Sequence, residues 1–364
     1  MRRKRLNISD LPLALKGLGL RVYESRNWIL DLLNVRETHY LPKFLISYDI
    51  ELTNACNTAC VFCPIDKTGK KGFMDFNTFK KAIHRTKESG VALDISSAGL
   101  GEPLLHREVV DFVRFVTGEG LDYSITTNAS LLKRELANEL IDAGLKGIFF
   151  SVSGINNTYE EIHRLNFKVT KRNILDFIDV SHGRCRITIT IVICDENRNE
   201  IDQIIGFWKK NGISRFWQVP MMNRGGGVDV NLSYLESERR YHQAVEILKS
   251  NNISTICWQP FLHWFIGWDG NYYLCCNEYG RKLPLGNVFD KSMREIGAII
   301  ERSQLDNPNI CRKCDVSPIN RITHILFRIE REEAKPTELD SLIKLLKTFQ
   351  VEATQVKNEL LRKN

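Results

Sequence analysis

No run of roughly eighteen consecutive apolar residues, the length that a membrane-spanning helix needs, occurs in this chain. The basic start Met1-Arg2-Arg3-Lys4-Arg5 leads into no compact apolar core with a small-residue cleavage site, so we expect no secretory signal there. Internal repeats and low-complexity tracts are also lacking, which leaves no sign of a repeat architecture. Without an export signal, the ten cysteines read as metal ligands rather than disulfides. The expected setting is a reducing cytoplasm.

Excess charge is scarce in the middle of the chain. The net charge is +7, with nine Lys/Arg against four Asp/Glu in residues 1–45 and nine against seven in 321–364. Basic ends suit nucleic acid, a membrane surface or an anionic substrate. A solvated basic tail explains them as well, and no nucleic-acid partner is expected. With 364 residues, 43% of them apolar, the chain can bury a real core as one large domain or as two or three smaller ones.

What is present is organised around Thr53-Asn54-Ala55-Cys56-Asn57-Thr58-Ala59-Cys60-Val61-Phe62-Cys63-Pro64. A strand-like run from Ile46 to Leu52 leads into three cysteines in a C-x3-C-x2-C spacing. A short loop of this kind can turn three thiolates toward one point. Soft sulfur ligands favour iron–sulfur clusters or zinc, and a [4Fe–4S] cluster normally takes four ligands. A missing fourth ligand would leave one iron open to a small molecule.

From residue 46 the chain alternates strand and helix patterns. The expected strands are 46–52, 92–97, 121–126, 147–152, 185–193 and 215–220. The expected helices are 76–89, 106–118, 130–143, 157–180 with a break, and 198–211. Such alternation argues for an α/β fold with a parallel sheet. Six units suggest an open partial (β/α)6 barrel of the TIM-like kind, with function at the C-terminal strand ends. We expect a helical lead-in over 1–45, the barrel over 46–225, a cysteine-bearing domain over 226–320 and a helical tail over 321–364.

A second cysteine set follows. Cys257 and Cys275 flank a hairpin signal at Asp269-Gly270, and Cys311-x2-Cys314 comes 36 residues after Cys275. The turn would bring Cys275 back toward Cys257, and the C-x-x-C would complete four thiolates. Four sulfurs fit an iron–sulfur cluster or a structural zinc equally well.

The first loop, with Phe62 just before its third cysteine, resembles the signature of the radical S-adenosylmethionine (radical SAM) superfamily. That resemblance implies a [4Fe–4S] cluster on Cys56, Cys60 and Cys63, with SAM chelating the open iron and Phe62 beside the adenine. It implies that Gly101 and Glu102, in the run Gly99-Leu100-Gly101-Glu102-Pro103, hold the SAM amino group. Asn128 after the third strand, and Ser151 and Ser153 after the fourth, would meet the ribose; the family often has aspartate where Ser153 stands. Arg164 would grip the SAM carboxylate, with Arg172 as a competitor. The second set is similar to the auxiliary domain known as SPASM, or twitch when shortened. Cys257, Cys275, Cys311 and Cys314 would then hold one auxiliary [4Fe–4S] cluster.

The implied chemistry is reductive cleavage of SAM to a 5′-deoxyadenosyl radical, which takes hydrogen from the substrate. A flavodoxin- or ferredoxin-type protein would donate the electron. Our first expectation is an oxidoreductase acting on a small molecule, an alcohol of a sugar or aminocyclitol, with the auxiliary cluster receiving an electron. The alternative is a peptide- or protein-modifying enzyme that epimerises, crosslinks or oxidises residues. A non-catalytic electron carrier or a zinc-dependent nucleic-acid binder is a third reading, and the SAM-pocket residues argue against it. No catalytic base stands out; Arg186, Glu278 and Arg281 are candidates, and Cys276 is a candidate hydrogen donor. Cys185 and Cys194 read as small buried hydrophobes.

Overall fold

The computed structural model describes residues 47–89, 94–229, 257, 259–306 and 308–314. The expected lead-in over 1–45 and the expected tail over 321–364 lie outside the described residues. The chain divides into two compact units. One comprises Leu45–Val230 and Pro260–Ile300; the other comprises Met1–Phe44, Asn231–Gln259 and Glu301–Asn364.

The first of these holds the barrel. Its elements run β1 (Ser47–Ile50), α1 (Phe76–Ser89), β2 (Asp94–Ser97), α2 (Val109–Gly118), β3 (Tyr123–Thr127), α3 (Arg134–Asp142) and β4 (Gly147–Ser151). Then come α4 (Asn156–His163), α5 (Phe167–Ser181), β5 (Arg186–Ile193), α6 (Ile201–Lys210) and β6 (Phe216–Pro220). All six expected strands form, and β1 to β6 pair in parallel in sequence order. The sheet is an open partial barrel.

The helix expected over 157–180 is broken, for a local reason. Arg164 takes a left-handed conformation (φ 53°) that closes α4, and the Asn166 side chain accepts from Val169 N–H to start α5.

Alternation along each strand sorts its side chains onto two faces. Tyr123 meets Phe79 and Phe150 meets Phe177, so one face packs under the helices. Tyr48, Ile50, Ile148, Ile189 and Ile191 share that burial at 0% exposure. The opposite, concave face is polar: Asp49, Ser96, Ser124, Thr126, Ser151, Thr188 and Thr190, with Phe149 and Trp217 among them. Arg186, Thr188 and Thr190 lie on the face away from Ile189 and Ile191, which settles the orientation of β5.

The hairpin expected around Asp269-Gly270 also forms, as β7 (His263–Ile266) and β8 (Asn271–Tyr273). It belongs to the same compact unit as the barrel, where β7 pairs with β1 in parallel. A further strand, β9 (Pro284–Asn287), gives a nine-stranded sheet in the order β6-β5-β4-β3-β2-β1-β7-β8-β9. Pairing with β7 covers the β1 edge that an open six-stranded sheet would leave bare.

Candidate functional site

The three-cysteine loop leaves the C-terminal end of β1 and is pinned at both ends. Thr53 Oγ1 donates to the Gly72 carbonyl at 2.6 Å, and Asn54 exchanges bonds with Lys70 O and Gly72 N–H at 2.9 Å. Further along, Val61 N–H donates to the Ile162 carbonyl at 3.1 Å and Cys63 N–H to the Cys60 carbonyl at 3.0 Å. Asn57, not singled out from the sequence, links the loop to the end of β3. It donates to Ser130 Oγ at 2.9 Å and accepts from Asn128 Nδ2 at 3.0 Å.

Burial pushes the Cys56 thiol up to about 11 and the Cys60 and Cys63 thiols up as well. Cys60 is raised further by Cys63 and Cys56, so the three sulfurs feel one another's charge. As thiolates they need a cation among them, which is what an iron–sulfur cluster supplies. No three His, Cys, Asp or Glu side chains among the described residues close around a point as ligands of one metal ion do. A [4Fe–4S] cluster gives each cysteine its own iron, so its ligands stand further apart than those sharing an ion. The donor set fits a cluster.

Beside the loop runs Gly99–Pro103. A Cβ on Gly101 would run into the Thr53 carbonyl and stand 2.7 Å from that of Ala55. Only glycine lets these two backbones lie together. Glu102 N–H donates to the Ala55 carbonyl at 2.9 Å. Its carboxylate is buried, and accepts from Leu104 N–H (3.0 Å) and Thr127 Oγ1 (2.6 Å) at Oε1 and from Asn128 N–H (2.8 Å) at Oε2. Burial lifts the carboxyl to about 7 against those three bonds. Oε2 takes one of these bonds, so its remaining lone pair can accept a further N–H donor such as an amino group. Asn128 also accepts from Ser130 N–H and Oγ at 2.9 and 2.6 Å. It shapes that turn rather than capping α3, which starts at Arg134.

The far wall is the end of β4 with α4. Ser151 closes β4, half-buried. Ser153 is buried and its Oγ accepts from Val192 N–H at 3.0 Å. Its N–H donates to His163 Nε2 at 2.9 Å, and His163 Nδ1 lies 3.4 Å from Cys60 Sγ. Phe62 meets the His163 ring edge-on at 5.4 Å. Burial lowers His163 to about 3, so its ring is neutral. Arg164 is exposed at the end of α4.

On the concave face, Asp49 Oδ1 accepts from Ser47 Oγ at 2.7 Å and from Ser96 Oγ at 2.5 Å. Two residues on, buried Glu51 pairs with Arg281. Arg281 also donates to the Glu278 carbonyl at 2.5 Å and lies over the Phe265 ring at 4.0 Å. Burial raises the Glu278 carboxyl. Cys276 is half-buried; a hydrogen bond from Cys275, with Arg224 and His263 nearby, draws its thiol down in spite of burial and Asp49. Glu278, Arg281 and Cys276 thus stand in the same unit as the three-cysteine loop. Arg186 is exposed at the start of β5, the strand end opposite that loop. Asp49 and Glu51 were missed, although the alternation Ser47, Asp49, Glu51 against Tyr48, Ile50, Leu52 carries the signal.

Of the second cysteine set, Cys275 lies in the barrel unit, and Cys257, Cys311 and Cys314 in the other. Cys257, Cys311 and Cys314 are buried, and Cys311 sits in a short helix, α9 counting α7 (Gln259–Leu262) and α8 (Met293–Leu305), over Asn309–Lys313.

Residues 50–207 match the radical SAM superfamily, and residues 257–315 match the SPASM iron–sulfur cluster-binding domain. The sporulation killing factor maturation protein SkfB of Bacillus subtilis is 23% identical over 287 residues, covering 73% of this chain and 67% of that protein. The tungsten-containing aldehyde ferredoxin oxidoreductase cofactor-modifying protein of Pyrococcus furiosus is 26% identical over 172 residues, 45% of this chain. The chain spans about half the length of that relative, 48%. Streptococcus suis SuiB, solved with its precursor peptide SuiA, superposes with a TM-score of 0.57 at 16% identity, over 82% of this chain and 75% of that one. SuiB shares the fold.

Proposed function

Because this chain belongs to the radical SAM superfamily and carries its SPASM iron–sulfur domain, we propose that Cys56, Cys60 and Cys63 hold the [4Fe–4S] cluster that takes SAM. We propose further that the enzyme draws hydrogen from a polar small molecule lying against the concave face of the sheet. Bound together, cluster and SAM supply a 5′-deoxyadenosyl radical able to attack an unactivated C–H bond. The chain's own residues bind, orient and exclude water. Glu102 Oε2 would accept from the SAM amino group, Arg164 would grip its carboxylate, and Phe62 would flank the adenine. Asn128, Ser151 and Ser153 line the ribose side.

The observation that carries the substrate class is the concave wall. Thr190 Oγ1 is buried there without a partner among the described residues. Trp217, 52% exposed, stands beside Phe149 at 6.1 Å as an aromatic platform. Hydroxyls beside an aromatic face suit a ring-shaped polyol. For an alcohol substrate the balance is simple. The carbon would give up its hydrogen atom to the radical that cluster and SAM supply, and the hydroxyl proton would go to a carboxylate, for which Asp49 is our candidate. The remaining electron would be taken up by an auxiliary [4Fe–4S] cluster, for which Cys257, Cys275, Cys311 and Cys314 are the ligands we assign, leaving a carbonyl. A flavodoxin- or ferredoxin-type protein would reduce the first cluster.

The second reading, a peptide-modifying enzyme, is favoured by one finding. The match to SkfB, named as a maturation protein, runs over 73% of this chain. Anaerobic incubation with SAM and dithionite tests the shared chemistry through 5′-deoxyadenosine. Faster 5′-deoxyadenosine release with polyols or aminocyclitols supports the first reading, and faster release with a short peptide the second. No 5′-deoxyadenosine under any of these conditions rejects both.

A further inference from the structure

His163 closes α4 with its ring wholly buried, and each ring nitrogen has a neighbour. Nε2 lies 2.9 Å from the backbone nitrogen of Ser153. A backbone N–H only donates, so Nε2 must be the bare, accepting nitrogen. The ring proton is therefore on Nδ1, and Nδ1 lies 3.4 Å from Cys60 Sγ. The proton points at sulfur.

This arrangement is held from several sides. Tyr159 stacks on the ring at 4.6 Å and Phe62 meets its edge at 5.4 Å. The carbonyl of His163 accepts from Thr58 Oγ1, and that of Ile162 from Val61 N–H. The end of α4 and the segment Thr58–Val61 are thus bonded on both sides of Cys60. The ring cannot turn over without Ser153 N–H losing its acceptor, a costly loss in a buried place.

We propose that His163 is a redox-tuning, positioning residue: its Nδ1–H donates a hydrogen bond to the Cys60 thiolate and raises the reduction potential of the cluster that Cys60 helps to hold. The inference rests on Cys60 being a cluster ligand. Reduction adds negative charge to the cluster and its sulfurs, and a donor aimed at one sulfur favours the reduced form. Burial strengthens the bond by removing competing water. A histidine serving only as packing would place no proton on sulfur.

The test uses the full chain, reconstituted anaerobically, reduced with dithionite and labelled with [15N]histidine. Pulsed EPR is read on the signal that changes when SAM is added, which belongs to the first cluster. A 15N coupling and a proton coupling lost in D2O are expected there. Both should disappear in His163→Phe, and the midpoint potential should become more negative. His163→Gln, with an acceptor for Ser153 and a donor for Cys60, should lose the 15N coupling and lie between the other two in potential. Absence of the 15N coupling from the wild-type signal overturns the proposal, and needs no variant to fold. A SAM-responsive His163→Phe cluster with the wild-type potential overturns it too. A wild-type chain with no SAM-responsive signal instead rejects the cluster assignment itself.

Discussion

Arg281 Nη2 lies 2.9 Å from Glu51 Oε1, with both side chains almost closed to solvent. The same Glu51 oxygen accepts from Leu100 N–H at 3.0 Å. One carboxylate therefore ties the root of the three-cysteine loop to the Gly99–Pro103 segment and to the segment that follows Cys275 and Cys276. Glu51 Oε2 and Arg281 Nε are buried without hydrogen-bond partners among the described residues. The pair is thus incompletely satisfied and depends on its Coulomb term. Removing one half leaves a bare buried charge, so Glu51→Gln and Arg281→Met should each cost about 3–5 kcal/mol. The double variant should recover most of that loss. Urea unfolding of the four proteins measures it, and a double variant as unstable as the sum of the singles would contradict it.

Two glycines in the chain should respond oppositely to alanine. At Gly101 a methyl group would meet the Thr53 and Ala55 carbonyls, which are backbone and cannot swing aside. Gly101→Ala should therefore lower bound iron and SAM affinity together, and 5′-deoxyadenosine formation by up to about a hundredfold if the loop shifts by an ångström. Gly206 sits inside α6 with nothing within 4 Å of the added carbon. Gly206→Ala should stabilise the chain by about 0.5–1 kcal/mol with SAM binding unchanged. Iron assay and equilibrium SAM binding, beside thermal unfolding, separate the two cases.

Much of this fold was legible because local pattern and tertiary role agree. Alternating Ile and Thr in β5 name a strand and sort its side chains onto two faces, though not which face is inward; a break within 157–180 was expected, but its place at Arg164 and the Asn166 cap were not. The pairing of β7 with β1 was not legible. The run His263–Ile266 is too short to say which edge it will meet, and edge pairing is decided by the finished sheet. At the site, the cysteine spacing and Gly101-Glu102 announced themselves as short contiguous motifs. His163 and the Glu51–Arg281 pair did not. Their contacts join residues 103 and 230 positions apart, and nothing local marks a histidine whose partner is a distant thiol.

Metal removal gives a further expectation. Two [4Fe–4S] clusters require about eight irons per chain, four for each cluster. Cys275→Ala should leave roughly half of the iron and preserve the SAM-responsive signal. The triple change of Cys56, Cys60 and Cys63 to Ala should abolish that signal and keep the other half. Iron near four with zinc near one in the wild type would instead assign the second set to zinc.

The pH dependence of SAM binding should be set at Glu102. Burial raises its carboxyl from 4.5 to about 7, and the bonds from Thr127, Asn128 and Leu104 work the other way. The folded chain holds this proton across an interval in which the unfolded chain has released it. Stability from this group therefore falls as pH rises from about 4.5 to 7. Binding runs in the opposite direction, because the N–H groups of the SAM amino group are held better by the charged carboxylate than by the neutral acid. SAM affinity should rise between pH 6 and about 8, with its midpoint near 7 while the pocket is empty. Thr127→Val removes one bond to the charged form and should move that midpoint upward. Glu102→Gln should bind SAM more weakly and without this pH step. Calorimetric titration of SAM into the three proteins across that range decides the matter: a step of equal size in Glu102→Gln would place the titrating group elsewhere.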